Sequence, residues 1–145
     1  MKFENFIKNG KVKRASVDIS LIKSLISTST KDLKFLQNLE INEDSARKIM
    51  SNYYDILRCI LEAICSLEGF KVYSHEAFTF YLKGKKEEIF AEKFDRFRKI
   101  RNGINYYGKD ISLEEVQENK QEIIRVVEEL RNKYLKEFIK NETPS

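Results

Sequence analysis

Along most of the chain, apolar residues recur every third or fourth position, the spacing that puts them on one face of a helix. The stripe is strongest over 46–67, where Ala46, Ile49, Met50, Tyr53, Leu57, Ile60, Leu61, Ile64 and Leu67 are joined by Ile56 and Ala63. Asn42 is a suitable N-cap for it, with Glu43 and Asp44 in the first turn, and Gly69 suits the left-handed position after its end. This most apolar helix is expected at the centre of the fold. An earlier helix runs from an Asp18 cap to about Leu39, with Ile19, Ile22, Ile26, Leu33 and Leu36 inward. A polar run at 27–30 interrupts its stripe and can loosen it. Before it, Phe3, Phe6 and Ile7 make a brief helix ending at Gly10, followed by a basic arm.

Downstream, "SHEAFTFYLKG" reads as a short helix capped by Ser74 and ended by Gly84. The next helix runs from about Glu87 through Ile104, with Phe90, Phe94, Phe97, Ile100 and Ile104 on one side. "SLEE" at 112–115 is a capping box, with Ser112 as N-cap and Ile111 and Val116 as its hydrophobic staple. The last stripe is Val116, Ile123, Val127, Leu130, Tyr134 and Phe138. No strand-like alternation and no internal repeat is found. The pattern predicts an all-α fold, an up-down antiparallel four-helix bundle with one or two extra short helices. The organisation is an arm over 1–17, a helical bundle over 18–140 and a disordered tail over 141–145. Isolated helices of this length are marginal in water, so packing of the stripes must supply most of the stability.

Composition agrees and narrows the function classes. The 145 residues are enough for one domain with one core. With 41% hydrophobic and 34% charged residues, the chain reads as globular rather than disordered. Five glycines and a single proline, Pro144, favour long helices. The net charge of +4, from 27 basic and 23 acidic side chains, permits nucleic-acid contact without demanding it. No apolar run approaches membrane-spanning length and no signal-peptide core is present, so a cytoplasmic protein without membrane contact is expected. Cys59 and Cys65 sit six apart on a helix, about 9 Å along its axis. They face different ways, which excludes a disulfide within an intact helix and reads as core thiols. Their spacing is not that of metal ligands. "KGKKEE" lacks the glycine spacing of a phosphate loop, and "HEAFT" lacks the second histidine of a metalloprotease. No cofactor or metal is expected.

The candidate chemistry lies in "FDRFRKIRNGINYYGKD" at 94–110. On a helical wheel Arg101 falls about 20° from Phe94, inside the apolar sector. An unpaired guanidinium there costs several kcal/mol to bury. It must snorkel, pair with a carboxylate of a neighbouring helix, or face a cleft or interface. Gly103 costs about 1 kcal/mol inside a helix and either loosens it, admits a close backbone approach, or marks an end near Asn102. Asn105 shares the Arg101 face if the helix continues, and Tyr106 and Tyr107 add phenols and stacking surfaces. His75, the only histidine, sits at a predicted helix start and reads either as a helix-terminal polar residue or as a base near Arg101.

"FDRFRKIRNGINYYGKDIS", after an all-α region and before a capped last helix, resembles the HEPN domain family, in particular its compact archaeal-type members. The resemblance extends loosely from about Asp18 to Tyr134 and is specific only in the "RN…YY" segment. It implies an up-down helical bundle that forms a homodimer, often in a two-gene, toxin–antitoxin-like module with a minimal nucleotidyltransferase. Several members are metal-independent ribonucleases with the site at the dimer cleft. Their signature is Arg-Asn followed by His at short spacing, often with a later Tyr. Arg101 and Asn102 match its start; Tyr106, or in the other alignment Asn105, stands where the His belongs. Neither replaces imidazole as a base at neutral pH. The resemblance therefore implies a non-catalytic or degenerate nucleotide- or RNA-binding or interaction component, with Arg101, Asn102, Asn105, Tyr106 and Tyr107 as its binding residues. One alternative is an active endoribonuclease with Arg101 stabilising the transition state and His75 or another group as base. The other is a purely structural dimerisation adaptor.

Overall fold

The computed structural model describes residues 1–139; the expected bundle end at 140 and the tail over 141–145 lie outside the described residues. The elements are α1 (Phe3–Lys8), β1 (Val12–Arg14), α2 (Ile19–Gln37), α3 (Ala46–Leu67), β2 (Phe70–Val72), α4 (Glu76–Gly84), α5 (Glu88–Tyr107), α6 (Leu113–Tyr134) and α7 (Lys136–Ile139). The all-α expectation holds. Helix α3 is the hub, packed against α2, α5 and α6, while α4 packs on α5. Its predicted stripe is buried from Ala46 to Ile64, and Leu67 packs against the core from the half-buried rim. Phe78, Phe94 and Phe97 complete the aromatic part of this core. Removing such rings from water is worth about 2–3 kcal/mol each, and burial of this kind is what chiefly holds the helices together. No helix among the described residues is long and apolar enough to cross a membrane.

Local signals account for most boundaries. The Asp18 carboxylate accepts from the Leu21 N–H at 3.0 Å and starts α2. The Glu115 N–H donates to Ser112 Oγ at 3.1 Å, starting α6. Ile111 and Val116, the expected staple, are both buried in the main core.

Several expectations need correction. Residues 27–30 do not loosen α2: Ser29 and Thr30 turn their hydroxyls onto the carbonyls of Leu25 and Ile26, at 2.8 and 3.0 Å, within an unbroken helix. Ile19 is not in the stripe; it is 46% exposed in the first turn of α2. Asn42 caps a tight turn rather than α3 itself. Its Oδ1 accepts from the N–H groups of Asp44 and Ser45, and the helix proper begins at Ala46. Ser74 does not cap α4 through its side chain; its carbonyl accepts from the Ala77 N–H while His75 holds the N-cap position. The last stripe divides: α6 ends at Tyr134, and Phe138 sits half-buried in the short α7. Cys65 is buried and Cys59 only half-buried, both as free thiols.

Strands do exist. Val12–Arg14 pairs antiparallel with Phe70–Val72, with Val12 opposite Val72 and Lys13 opposite Lys71. Three residues per strand are too few for period-two alternation to register. Phe6, Val12 and Ala77 form a small second core beneath the ribbon.

Gly69, at φ +86°, follows α3 as expected and lets the chain turn directly into β2. A Cβ there would meet the Ala15 carbonyl oxygen at 3.3 Å. Gly69→Ala is therefore expected to destabilise by about 1–2 kcal/mol, from left-handed strain against an immobile backbone atom. Gly103→Ala is expected to be neutral or slightly stabilising. Its Cβ would meet only the flexible Lys109 Cδ at 3.2 Å, and helix propensity returns about 1 kcal/mol. Urea unfolding of the two variants checks the contrast, and equal losses would contradict it.

Candidate anion-binding site

Helix α5 runs through Asn102 and Gly103 to Tyr107, so the expected end near Asn102 or Ile104 is wrong. The physical terminator is Gly108, at φ +63°. Gly103 is buried instead, and its carbonyl accepts from the Lys109 N–H at 3.0 Å as the chain folds back. Of the roles open to this glycine, the early helix end is not realised, and the atoms nearest a Cβ there belong to the flexible Lys109 side chain rather than to a neighbouring backbone. Arg101, Asn102, Asn105 and Tyr106 are consequently presented on one continuous helix.

Arg101 is half-buried, as its place beside Phe94 requires. Among the described residues it pairs with no carboxylate. Its guanidinium lies over two aromatic rings, Tyr54 from α3 and Tyr106 from its own helix, each centroid 5.6 Å from Cζ. Nη1 donates to the Tyr106 hydroxyl at 3.2 Å. Nε is buried and has no hydrogen-bond partner among the described residues. Two cation–π contacts offset part of the desolvation of this cation, but they leave an unsatisfied N–H that usually costs about 1–3 kcal/mol.

Tyr54 joins the site to His75. Its hydroxyl lies 3.0 Å from His75 Nδ1, and the two ring centroids are 5.8 Å apart. Burial pushes the Tyr54 phenol well above its ordinary range, although the nearby guanidinium groups of Arg101, Arg58 and Arg98 pull it down. His75 is held down to about 4, first by burial and then by Arg58, Arg101 and Arg98. Both groups are therefore neutral at pH 7. A fully buried phenol must place its hydrogen on an acceptor. The acceptor at hand is His75 Nδ1, so Tyr54 donates and the imidazole carries its own hydrogen on Nε2. His75 thus reaches the Arg101 neighbourhood, as one reading of the sequence required. It arrives as a hydrogen-bond donor, however, without the lone pair on Nε2 that a base would use.

The remaining expected residues divide. Asn105 is anchored, its Oδ1 accepting from the buried Ser51 hydroxyl of α3 at 3.0 Å, so its amide N–H groups stay available. Asn102 is half-buried one position beyond Arg101. Tyr106 is 68% exposed and reaches Arg101. Tyr107 is 77% exposed, and among the described residues no hydrogen bond or cation–π contact joins it to Arg101, so it stands outside the group. Sequence reading missed Tyr54, Ser51 and Arg58. The available signal was Tyr54 one turn before Arg58, just off the main stripe of the most apolar helix.

Arg58 and Arg98 differ from Arg101 in having partners. Arg58 binds Glu62 at 2.6 Å, and Arg98 binds Asp95 at 2.8 Å. Among the described residues Arg101 is the arginine of this cluster without a carboxylate partner, and it lies against the Tyr54 and Tyr106 rings. Such a site suits an anionic oxygen next to a planar group. A separate concavity of about 560 Å³ lies on another flank of α5, lined by Asp95, Arg96, Lys99, Ile100, Gly103 and Lys109 among others. Arg101 does not line it, and Lys99 and Arg96 there are already paired, with Asp95 and Glu122. Among the described residues no group of three or more His, Cys, Asp and Glu is placed to hold a metal ion.

His75 yields a pH dependence. Its ordinary value of 6.5 is lowered to about 4 by folding, so the unfolded chain takes up its proton first. The stability tied to this group is full above about pH 6.5 and is lost as pH falls toward 4. The ceiling is about 3 kcal/mol, reduced by partial exposure to about 1–2. Urea unfolding of His75→Gln and the parent should show the variant gaining that much on the parent between pH 7 and pH 4. A constant difference would contradict the burial of a neutral imidazole.

Comparison with protein-family models, with curated proteins and with solved structures returns no match.

Proposed function

We propose that this chain is a HEPN-like helical protein that binds a nucleotide or RNA through Arg101 without cleaving it. It would act as a homodimer within a nucleotidyltransferase-associated, toxin–antitoxin-like module. The observation that carries the reading is the half-buried Arg101 guanidinium, stacked on two tyrosines, with a buried Nε that has no acceptor and no carboxylate partner among the described residues. An incoming phosphate oxygen would accept from the edge of the guanidinium that half-burial leaves accessible, the buried Nε itself being out of its reach. His75 Nε2–H and the Asn105 amide add neutral donors, and Tyr106 offers a stacking face.

Lack of cleavage follows from proton positions. Tyr106, which stands at the signature histidine in one alignment, is a phenol that accepts from Arg101, and Asn105, which stands there in the other, is an amide that accepts from Ser51. His75 carries its hydrogen on the free nitrogen and is too weak a base near neutral pH. The ribonuclease alternative would need a base from elsewhere, such as a second copy of the chain. The test is binding of a labelled single-stranded RNA to the parent and to Arg101→Ala, with RNA integrity and dimer population read on the same samples. Binding that is lost at unchanged dimer population, with intact RNA, supports the proposal. Cleavage that depends on Arg101 supports the ribonuclease instead, and loss of the dimer alone supports a structural adaptor.

A further inference from the structure

The ribbon of β1 and β2 carries charge that the helical core does not require. On its inner face Val12 is buried and Val72 half-buried against the small second core, and Arg14, opposite Phe70, lies over that ring. Strand alternation puts Lys11, Lys13, Lys71 and Tyr73 on the outer face, and all four are exposed. The register places Lys13 directly opposite Lys71. Like charges facing each other across a ladder are destabilising. Here nothing neutralises them: no Asp or Glu occurs within 5–17 or 69–75, and no ion pair among the described residues involves these lysines. Both ammonium groups instead sit 5.5 Å from the ring centroid of Tyr73, which is 56% exposed. The Tyr73 N–H bonds the Lys11 carbonyl at 2.8 Å, so the tyrosine is fixed to the ribbon's end rather than carried on a loose loop.

Lysines alone would be explained as protection of exposed strand edges against pairing with other chains. That role gives no reason for an open aromatic ring in their midst. Cations flanking an exposed, backbone-anchored aromatic ring form the elementary unit by which single-stranded nucleic acid is held, phosphates on the charges and a base on the ring. The patch also adjoins the Arg101 site, since only Ser74 separates Tyr73 from His75, about 7 Å of chain at most.

We propose that the outer face of the β1–β2 ribbon is a second contact surface for single-stranded nucleic acid, with Lys13 and Lys71 on phosphates and Tyr73 stacked on a base. The class of ligand rests on the reading of Arg101 given above, but the surface is tested separately from it.

The experiment measures anisotropy of fluorescein-labelled oligouridine and oligothymidine, each about 15 nucleotides long, with the full chain from about 50 to 200 mM salt. Lys13→Gln/Lys71→Gln should weaken binding about tenfold at low salt and reduce the salt slope by about 1.4, two single-strand phosphate contacts. Tyr73→Ala should weaken it about tenfold and leave the slope unchanged, the mark of stacking. All these side chains are exposed, so the variants should unfold at the parent's temperature; Tyr73→Leu serves as a second variant if Tyr73→Ala does not. Ribbon variants that bind within twofold of the parent while Arg101→Ala does not would overturn the ribbon and spare Arg101. Weakening by the ribbon variants with Arg101→Ala unaffected would keep the ribbon and overturn Arg101. No binding of either oligonucleotide by the parent overturns both. Lysine-dependent sedimentation with phosphatidylserine vesicles, without oligonucleotide binding, would make the face a membrane surface and overturn the proposal.

Discussion

Tyr54→Ala is expected to lower the unfolding free energy by about 3–5 kcal/mol, and Tyr54→Phe by about 1–2. The side chain is fully buried and packs on Phe94 with centroids 5.5 Å apart, beneath the Arg101 guanidinium. Truncation to alanine empties that volume where α3, α4 and α5 meet, and surrounding helices cannot collapse into it completely. It also removes one of the two rings that support a half-buried cation. The phenylalanine variant keeps the ring and deletes only the hydroxyl, so His75 Nδ1 loses its donor. Urea unfolding of both variants at pH 7 measures the pair of effects. A loss under about 1 kcal/mol for Tyr54→Ala would mean that Tyr54 lines an accommodating surface rather than the join between helices.

Arg101→Ala is expected to weaken binding of single-stranded RNA about 10- to 100-fold while changing stability by no more than about 1 kcal/mol. The binding loss is that of one or two charge-assisted hydrogen bonds. The small stability change reflects opposing effects. Two cation–π contacts disappear, each worth about 0.5–1 kcal/mol. So does a buried N–H without an acceptor, which costs a similar amount in the unliganded protein. A guanidinium that served the fold alone would show the reverse, a large loss of stability with binding unaffected. Arg101→Lys should recover part of the affinity through charge, but not the stacked, forked geometry. Anisotropy titrations and urea melts on the same preparations separate these outcomes.

The two sites differ in how legible they were. The anomaly of Arg101 was visible on a helical wheel because its position, seven residues after Phe94, is a local property. Its answer was not, because Tyr54 lies 47 positions earlier and meets Arg101 only when α3 and α5 pack. The same holds for His75. Its nearness to Arg101 was one of two open readings, and its direction of proton donation depends on a phenol that no local pattern singled out. Gly103 invited a reading as a helix end because glycine is a poor helix former. Burial of α5 against the core outweighed about 1 kcal/mol of propensity, and the left-handed Gly108 terminated the helix four residues beyond Ile104.

By itself the sequence determined the long helices, most of their inward faces and the caps at Asp18 and Ser112, because three- and four-residue spacing and capping are properties of neighbouring residues. It also determined that Arg101 must sit on an apolar face. The tertiary structure decided what that face meets, since contacts between α3, α4 and α5 are set by packing across long stretches of chain. The same is true of the ribbon. Val12–Arg14 and Phe70–Val72 are too short to announce themselves, and only their long-range pairing gathers Lys11, Lys13, Lys71 and Tyr73 on one outward face.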